Sequence, residues 1–251
     1  QIDGGMSNQQ IVDVMVKGRI KQVRFTVPEG YSVAKTAKKL EAEGLGSADK
    51  FMAAAKDYAP YPYMQTDDSN VLFKAEGFIY PATYDFPVGI SEQEMLKMMV
   101  AQFDKEMQSS GIAKTVAERN LPLRDVVNMA AMVEMEAVFA EEQPRIAGVF
   151  LKRVEIGMPI QSDTTIQYIL GAQKETITFK DTEIDNPYNT YQNFGLPPGP
   201  IGSPSLSAIQ AVLEPEQTDY LYFVAQNDGH HRFSRTYAEH LRAIDEIYYG
   251  R

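Results

Sequence analysis

The longest helical pattern in the chain runs from about residue 123 to 139. Its second half, MAAMVEMEAVFA (129–140), sets two glutamates in an almost wholly apolar sequence, and any fold has to accommodate those two carboxylates. At i±3 and i±4 they are flanked by Met132, Val133, Phe139 and alanines, and neither Glu134 nor Glu136 has a basic residue one turn away. Such surroundings desolvate the charged form of a carboxyl and raise its pKa toward the range where it donates a proton near neutrality. On a helical wheel Glu134 falls within the apolar arc and Glu136 at its border, so the two project in different directions and period alone favours Glu134 as the more buried. Carboxylates hydrogen-bonded to loop backbone as anchors fit the same spacing, which leaves catalysis and anchoring equally open.

Around this segment the pattern predicts an α+β fold, mostly helical with short strands. A short amphipathic helix is expected at 8–17, a strand at 22–27 (QVRFTV), and two small helices at about 33–42 and 47–57. Residues 76–87, EGFIYPATYDFP, read as a packed irregular stretch because Pro81 and Pro87 break it. Ser91 and Glu94 have capping-box spacing for a helix to about 108, and a further helix spans about 142–156. Residues 159–171 begin as loop and become helical. Ser203 with Pro204 reads as the cap and first position of a helix that stops before Pro215. A hairpin around Asn227-Asp228-Gly229 joins 219–226 to 231–234, and a capping box from Thr236 to Glu239 starts the last helix.

Composition excludes several function classes. With 24 basic and 34 acidic residues the net charge is −10, a poor basis for binding nucleic acid or anionic lipid. The absence of cysteine removes disulfides, thiolate nucleophiles and Cys-bound metal. Of the three histidines, His230 and His231 point to opposite faces of one strand, and no HExxH occurs, so no metal is expected and His231 reads as a hydrogen-bonding or packing residue. No GxSxG nucleophile motif, phosphate loop or dinucleotide fingerprint occurs, and no cofactor is expected. What remains is loop chemistry. QSDTT (161–165) and NPYNTY (186–191) concentrate amide, hydroxyl and phenol groups with few full charges. Such a set suits a neutral polyhydroxylated or amide-bearing ligand, although ordinary turn chemistry accounts for any one of these residues. The Pro/Gly/Asn/Tyr segment 185–204 is too long for a simple connector and reads as a functional loop.

EGFIYPATYDFP (76–87), the run from Met129 to Gly171, NPYNTYQNFGLPPGPIGSPSLSAI (186–209) and DYLYFVAQNDGHHRFSRTYAEH (219–240) together resemble the YceG-like family, the endolytic murein transglycosylases, in order and spacing across most of 22–245. The resemblance implies a catalytic domain at 22–251, preceded at 1–21 by the tail of a LysM-like module. It further implies one catalytic glutamate, the second of the E-x-E pair, which falls on Glu136, with Glu134 in reserve. Gln161, Ser162, Asp163, Tyr188, Asn189, Tyr191 and His231 are then the residues expected to grip sugars or orient Glu136. Two departures from the family pattern are Met135 and Ala137 around the acid, where Lys and Thr are usual, and Thr164 where Pro is usual. Implied partners are peptidoglycan strands, peptidoglycan synthases and elongation-machinery membrane proteins, but no nucleic acid. The implied location is the extracytoplasmic face of the bacterial membrane, held by an N-terminal anchor outside this chain. Rival classes are a non-catalytic glycan-binding scaffold and a pyridoxal-phosphate lyase, the latter lacking a convincing Schiff-base lysine and phosphate cup.

Overall fold

The computed structural model describes residues 5, 7–9, 21–172 and 174–250. The helix expected at 8–17 and the module tail expected at 1–21 lie almost entirely outside them. Strand β1 (Gln22–Thr26) forms where its alternation predicts, with Phe25 turned into the core. Its antiparallel partner is β2 (Thr83–Pro87), with Phe25 opposite Tyr84 and Val23 opposite Phe86. This strand corrects the reading of 76–87 as irregular. Thr83 and Asp85 face out while Tyr84 and Phe86 are buried, and the prolines sit ahead of the strand and at its last position, where a missing donor is tolerated.

Helices α1 (Val33–Ala42) and α2 (Ala48–Asp57) start on Ser32 and Ser47, whose side chains accept from the amides of Lys35 and Lys50. Helix α3 (Glu92–Ser109) starts on Ser91, but only half of the expected box forms. The Ser91 hydroxyl accepts from the Glu94 amide, whereas the Glu94 carboxylate pairs with Lys97. Glu92 instead reaches across to accept from the Ser47 amide at 2.8 Å, tying α3 to α2. A short helix not anticipated from sequence, α4 (Ile112–Glu118), follows Gly111 and buries Ile112 and Val116.

Helix α5 (Leu123–Glu136) is the centre of the molecule. Every residue from Val126 to Val133 is buried, and the helix packs against α6 (Gln143–Glu155), α7 (Asp163–Leu170) and α9 (Leu206–Leu213). It ends three residues before the apolar pattern does, because Ala137 turns to an extended conformation with φ −80° and ψ 119°. A four-residue α8 (Phe179–Thr182) lies in the following loop. The cap of α9 is Ser205 and not Ser203. The Ser205 hydroxyl accepts from the Ala208 amide, while the backbone of Ser203 is already committed to the 30–31 turn through Gly30 N–H and Tyr31 C=O. That turn needs glycine, since Gly30 has φ +69° and a Cβ there would lie 2.9 Å from Met135 Sδ. The hairpin β3 (Tyr222–Ala225) and β4 (His231–Ser234) and helix α10 (Tyr237–Ile244) occur as read, with both halves of the Thr236–Glu239 box present. The architecture is α+β and mostly helical among the described residues.

Candidate active site

The two glutamates of α5 part company at the end of the helix. The Glu134 Oε2 accepts from the Ser205 amide at 3.0 Å and the Ser205 hydroxyl at 2.5 Å. It therefore anchors the first turn of α9 to the central helix, and the reserve acid is spoken for. Glu136, the last helical residue, lies in a cleft of about 440 Å³ between the 160–163 loop, Tyr191, the β3–β4 hairpin and α10. Period favours Glu134 as the more enclosed, but period stops governing direction where the helix stops. Burial pushes the Glu136 carboxyl up to about 7.

What surrounds that carboxyl is balanced. Its Oε1 accepts from the Ser162 hydroxyl at 2.5 Å, and the Thr164 hydroxyl lies 2.6 Å from Ser162 Oγ. The Thr164 backbone and the nearby Arg153 charge also favour the ionised form, while burial and the Asp163 charge favour the neutral one. A carboxyl poised in this way is suited both to give and to take a proton near neutrality. Asp163 is exposed and accepts from the Tyr191 phenol at 2.6 Å. Neutralising it removes one of the influences that holds Glu136 up. In Asp163→Asn the alkaline limb of kcat/KM should therefore move to lower pH, with the Tyr191 hydrogen bond retained. A limb that stays in place would exclude Asp163 from tuning the acid.

The structure brings together Glu136, Gln161, Ser162, Asp163, Tyr191 and His231. Gln161 is exposed with φ +52°, its amide donating to Thr190 C=O at 3.1 Å. The His231 side chain is nearly buried, its Nδ1 2.8 Å from Glu142 Oε2 while its amide donates to Glu142 Oε1 at 3.0 Å. His230 faces outward, stacked on Phe139.

Tyr188 and Asn189, expected to grip sugars or orient Glu136, are not among the residues that line this cleft. Both are buried. The Tyr188 ring packs on Tyr168, and its hydroxyl accepts from the Leu72 amide at 3.4 Å. The Asn189 amide group donates to Thr182 C=O at 3.0 Å and Ile184 C=O at 2.8 Å, while its Oδ1 accepts from the Tyr191 amide. These residues pin the loop that carries Tyr191. Asn189→Ala should cost about 1–3 kcal/mol of stability, read as a fall in Tm, and weaken glycan binding by less than Tyr191→Ala does. Lost affinity at unchanged Tm would return Asn189 to the groove.

Four contributors were not singled out from sequence. Thr190 is buried, and its hydroxyl accepts from the Ser162 amide at 3.0 Å, which fixes the residue that holds the acid. Arg153, a charge on the buried face of α6, donates to the carbonyls of Leu221 and Ile160 at 2.6 and 2.5 Å and ties the hairpin to the 160–163 loop. Glu142 holds His231. Glu76 is buried, its carboxyl accepting from the Val33 amide at 2.9 Å and the Tyr168 hydroxyl at 3.0 Å, and burial pushes it to about 7 as well. The apolar context that drew attention to Glu134 and Glu136 also surrounds Glu76 in EGFIYP, and is the signal that locates it. Among the described residues no cluster of three His, Asp or Glu side chains is arranged to hold a metal ion, and no helix is long and apolar enough to cross a membrane.

The family model described as the YceG-like family matches residues 1–246. The chain is 32% identical over 257 residues to the endolytic murein transglycosylase of Bacillus subtilis strain 168, covering 98% of this chain and 71% of that protein. It is 32% identical over 269 residues to the endolytic murein transglycosylase of Streptococcus pneumoniae D39, covering 96% of this chain but 48% of that protein. The chain thus spans about half the length of the pneumococcal relative. A 2.6 Å crystal structure of a yceG-like protein from Listeria monocytogenes superposes with a TM-score of 0.81 at 31% identity, over 95% of this chain and 81% of that one.

Proposed function

The chain belongs to the YceG-like family, and we propose that it is an endolytic murein transglycosylase in which Glu136 is both general acid and general base. The bond broken is that between N-acetylmuramic acid and N-acetylglucosamine within a peptidoglycan strand. Protonated Glu136 gives its proton to the glycosidic oxygen as positive charge develops at C1 of the muramic residue. The carboxylate left behind takes the proton of the C6 hydroxyl of the same sugar as that oxygen closes on C1, leaving a 1,6-anhydro end and a restored acid. No water enters, because the nucleophile belongs to the substrate. Ser162, itself fixed by Thr190, orients the acid. Tyr191, Gln161 and His231 line the cleft that takes the sugars. A peptidoglycan substrate places this work outside the cytoplasmic membrane.

The observation that carries the reading is the Glu136 carboxyl, lifted to about 7 and lying in a cleft lined by phenol, amide and imidazole groups. Burial lifts Glu76 equally, so it is the position in this polar cleft that distinguishes Glu136. The test is product analysis. Purified glycan strands cleaved in heavy-oxygen water should yield anhydro-muramyl ends with no solvent oxygen incorporated, read by mass spectrometry. Labelled reducing ends would replace this mechanism with hydrolysis and give Asp163 the task of activating water.

A further inference from the structure

A second cavity, of about 250 Å³, shares Asp163 as a wall with the cleft that holds Glu136. Lys35 and Lys38 of α1 line it together with Phe73, Met135 and Glu76. Lys38 is exposed and Lys35 half-buried. Among the described residues neither takes part in an ion pair, whereas Lys39 on the same helix pairs with Glu43. The two carboxyls at this cavity are engaged elsewhere, Glu76 with Val33 and Tyr168 and Asp163 with Tyr191. In a chain of net charge −10, two uncompensated cations on one wall beside the acid favour an anionic ligand. N-acetylglucosamine is neutral, and the lactyl carboxyl of N-acetylmuramic acid is taken up in the amide bond that attaches the peptide. The part of a peptidoglycan strand that carries carboxylates, along with small apolar side chains, is the peptide attached to muramic acid.

We propose that this cavity receives the carboxylate-bearing peptide of the muramic residue, with Lys35 and Lys38 facing its carboxylates and Phe73 and Met135 its apolar groups, while the sugars occupy the adjoining cleft. The inference rests on the glycan-cleaving reading above. It makes the peptide a determinant of which strands are cut.

The test compares wild type with the K35E/K38E variant on two substrates, purified strands bearing their peptides and the same strands stripped by an amidase, which leaves each muramic residue with only its own lactyl carboxylate. An acid at position 35 enters the first turn of α1, which holds no acidic residue, and is favourable there. The ratio of kcat/KM on peptide-bearing to stripped strands should fall about tenfold in the variant, and the wild-type ratio should shrink as salt is added. K35Q/K38Q, which removes charge without reversing it, should move the ratio in the same direction by less. An unchanged ratio in folded variants overturns the peptide assignment while cleavage itself stands. Failure of wild type to cut either substrate overturns the glycan reading, and this inference with it.

Discussion

Glu136→Gln should leave a folded protein whose cleavage of glycan strands is lower by about 10²-fold or more. Glutamine keeps the size of the side chain and an oxygen to accept from Ser162, but it neither gives nor takes a proton. Because burial disfavours the charge at this position, the neutral amide should not lower Tm. Glu134→Gln is the control. It leaves the Ser205 amide an acceptor but weakens a charge-assisted anchor of α9, so it should act more on Tm than on turnover. Kinetics and thermal unfolding of both variants decide the assignment. An inactive Glu134 variant beside an active Glu136 variant would reverse it. In wild type, kcat/KM should fall as pH rises through about 7, where Glu136 loses the proton the first step needs.

The second large effect concerns stability and a residue away from the cleavage step. Glu76 binds its proton more tightly folded than unfolded, at about 7 against an ordinary 4.5. Between those values the native state holds more protons than the unfolded one, so stability falls as pH rises. The contribution is fully present below about pH 4.5 and is lost as pH rises through 7. The loss for this one buried group is roughly 3 kcal/mol. Glu76→Gln stays neutral, keeps an acceptor for the Val33 amide and turns its NH₂ toward the Tyr168 oxygen. It should therefore be more stable than wild type at pH 8 and lose less stability between pH 5 and 8. Glu136 acts in the same direction, so some slope should remain. Urea unfolding at the two pH values measures both. Identical pH dependence in the two proteins would mean that Glu76 is not held neutral in the fold.

The parts of the fold that were legible in sequence are those set by local rules. Alternation in QVRFTV, the short helices α1 and α2, the hairpin turn at 227–229 and the Thr236 box each depend on residues close to one another in sequence. What escaped depends on distant partners. Strand β2 exists because β1 lies sixty residues upstream to pair with it, and prolines read as breakers conceal its alternation. The α9 cap moves from Ser203 to Ser205 because the 30–31 turn claims the backbone of Ser203. At the site, polarity picks out the loops that border the cleft but not which of their side chains face it. Tyr188, Asn189 and Thr190 are polar and buried, because loop backbone satisfies them. Only the partner positions separate them from Tyr191, their neighbour in sequence.

Glu136 is where α5 ends, and its carboxyl meets Ser162 and the Thr164 backbone where α7 begins. One helix presents its electronegative end to the acid and the other its electropositive end. The first favours the proton staying and the second favours its leaving. Both influences are built from backbone, which no side-chain substitution removes while the helices stand. Surface charges other than Asp163 can drift over evolution with little effect on the acid, whereas a shift of half a turn between α5 and α7 would upset it. The proton affinity at this position is in that sense a property of how two helices are docked, and the packing of the core is what keeps it tuned.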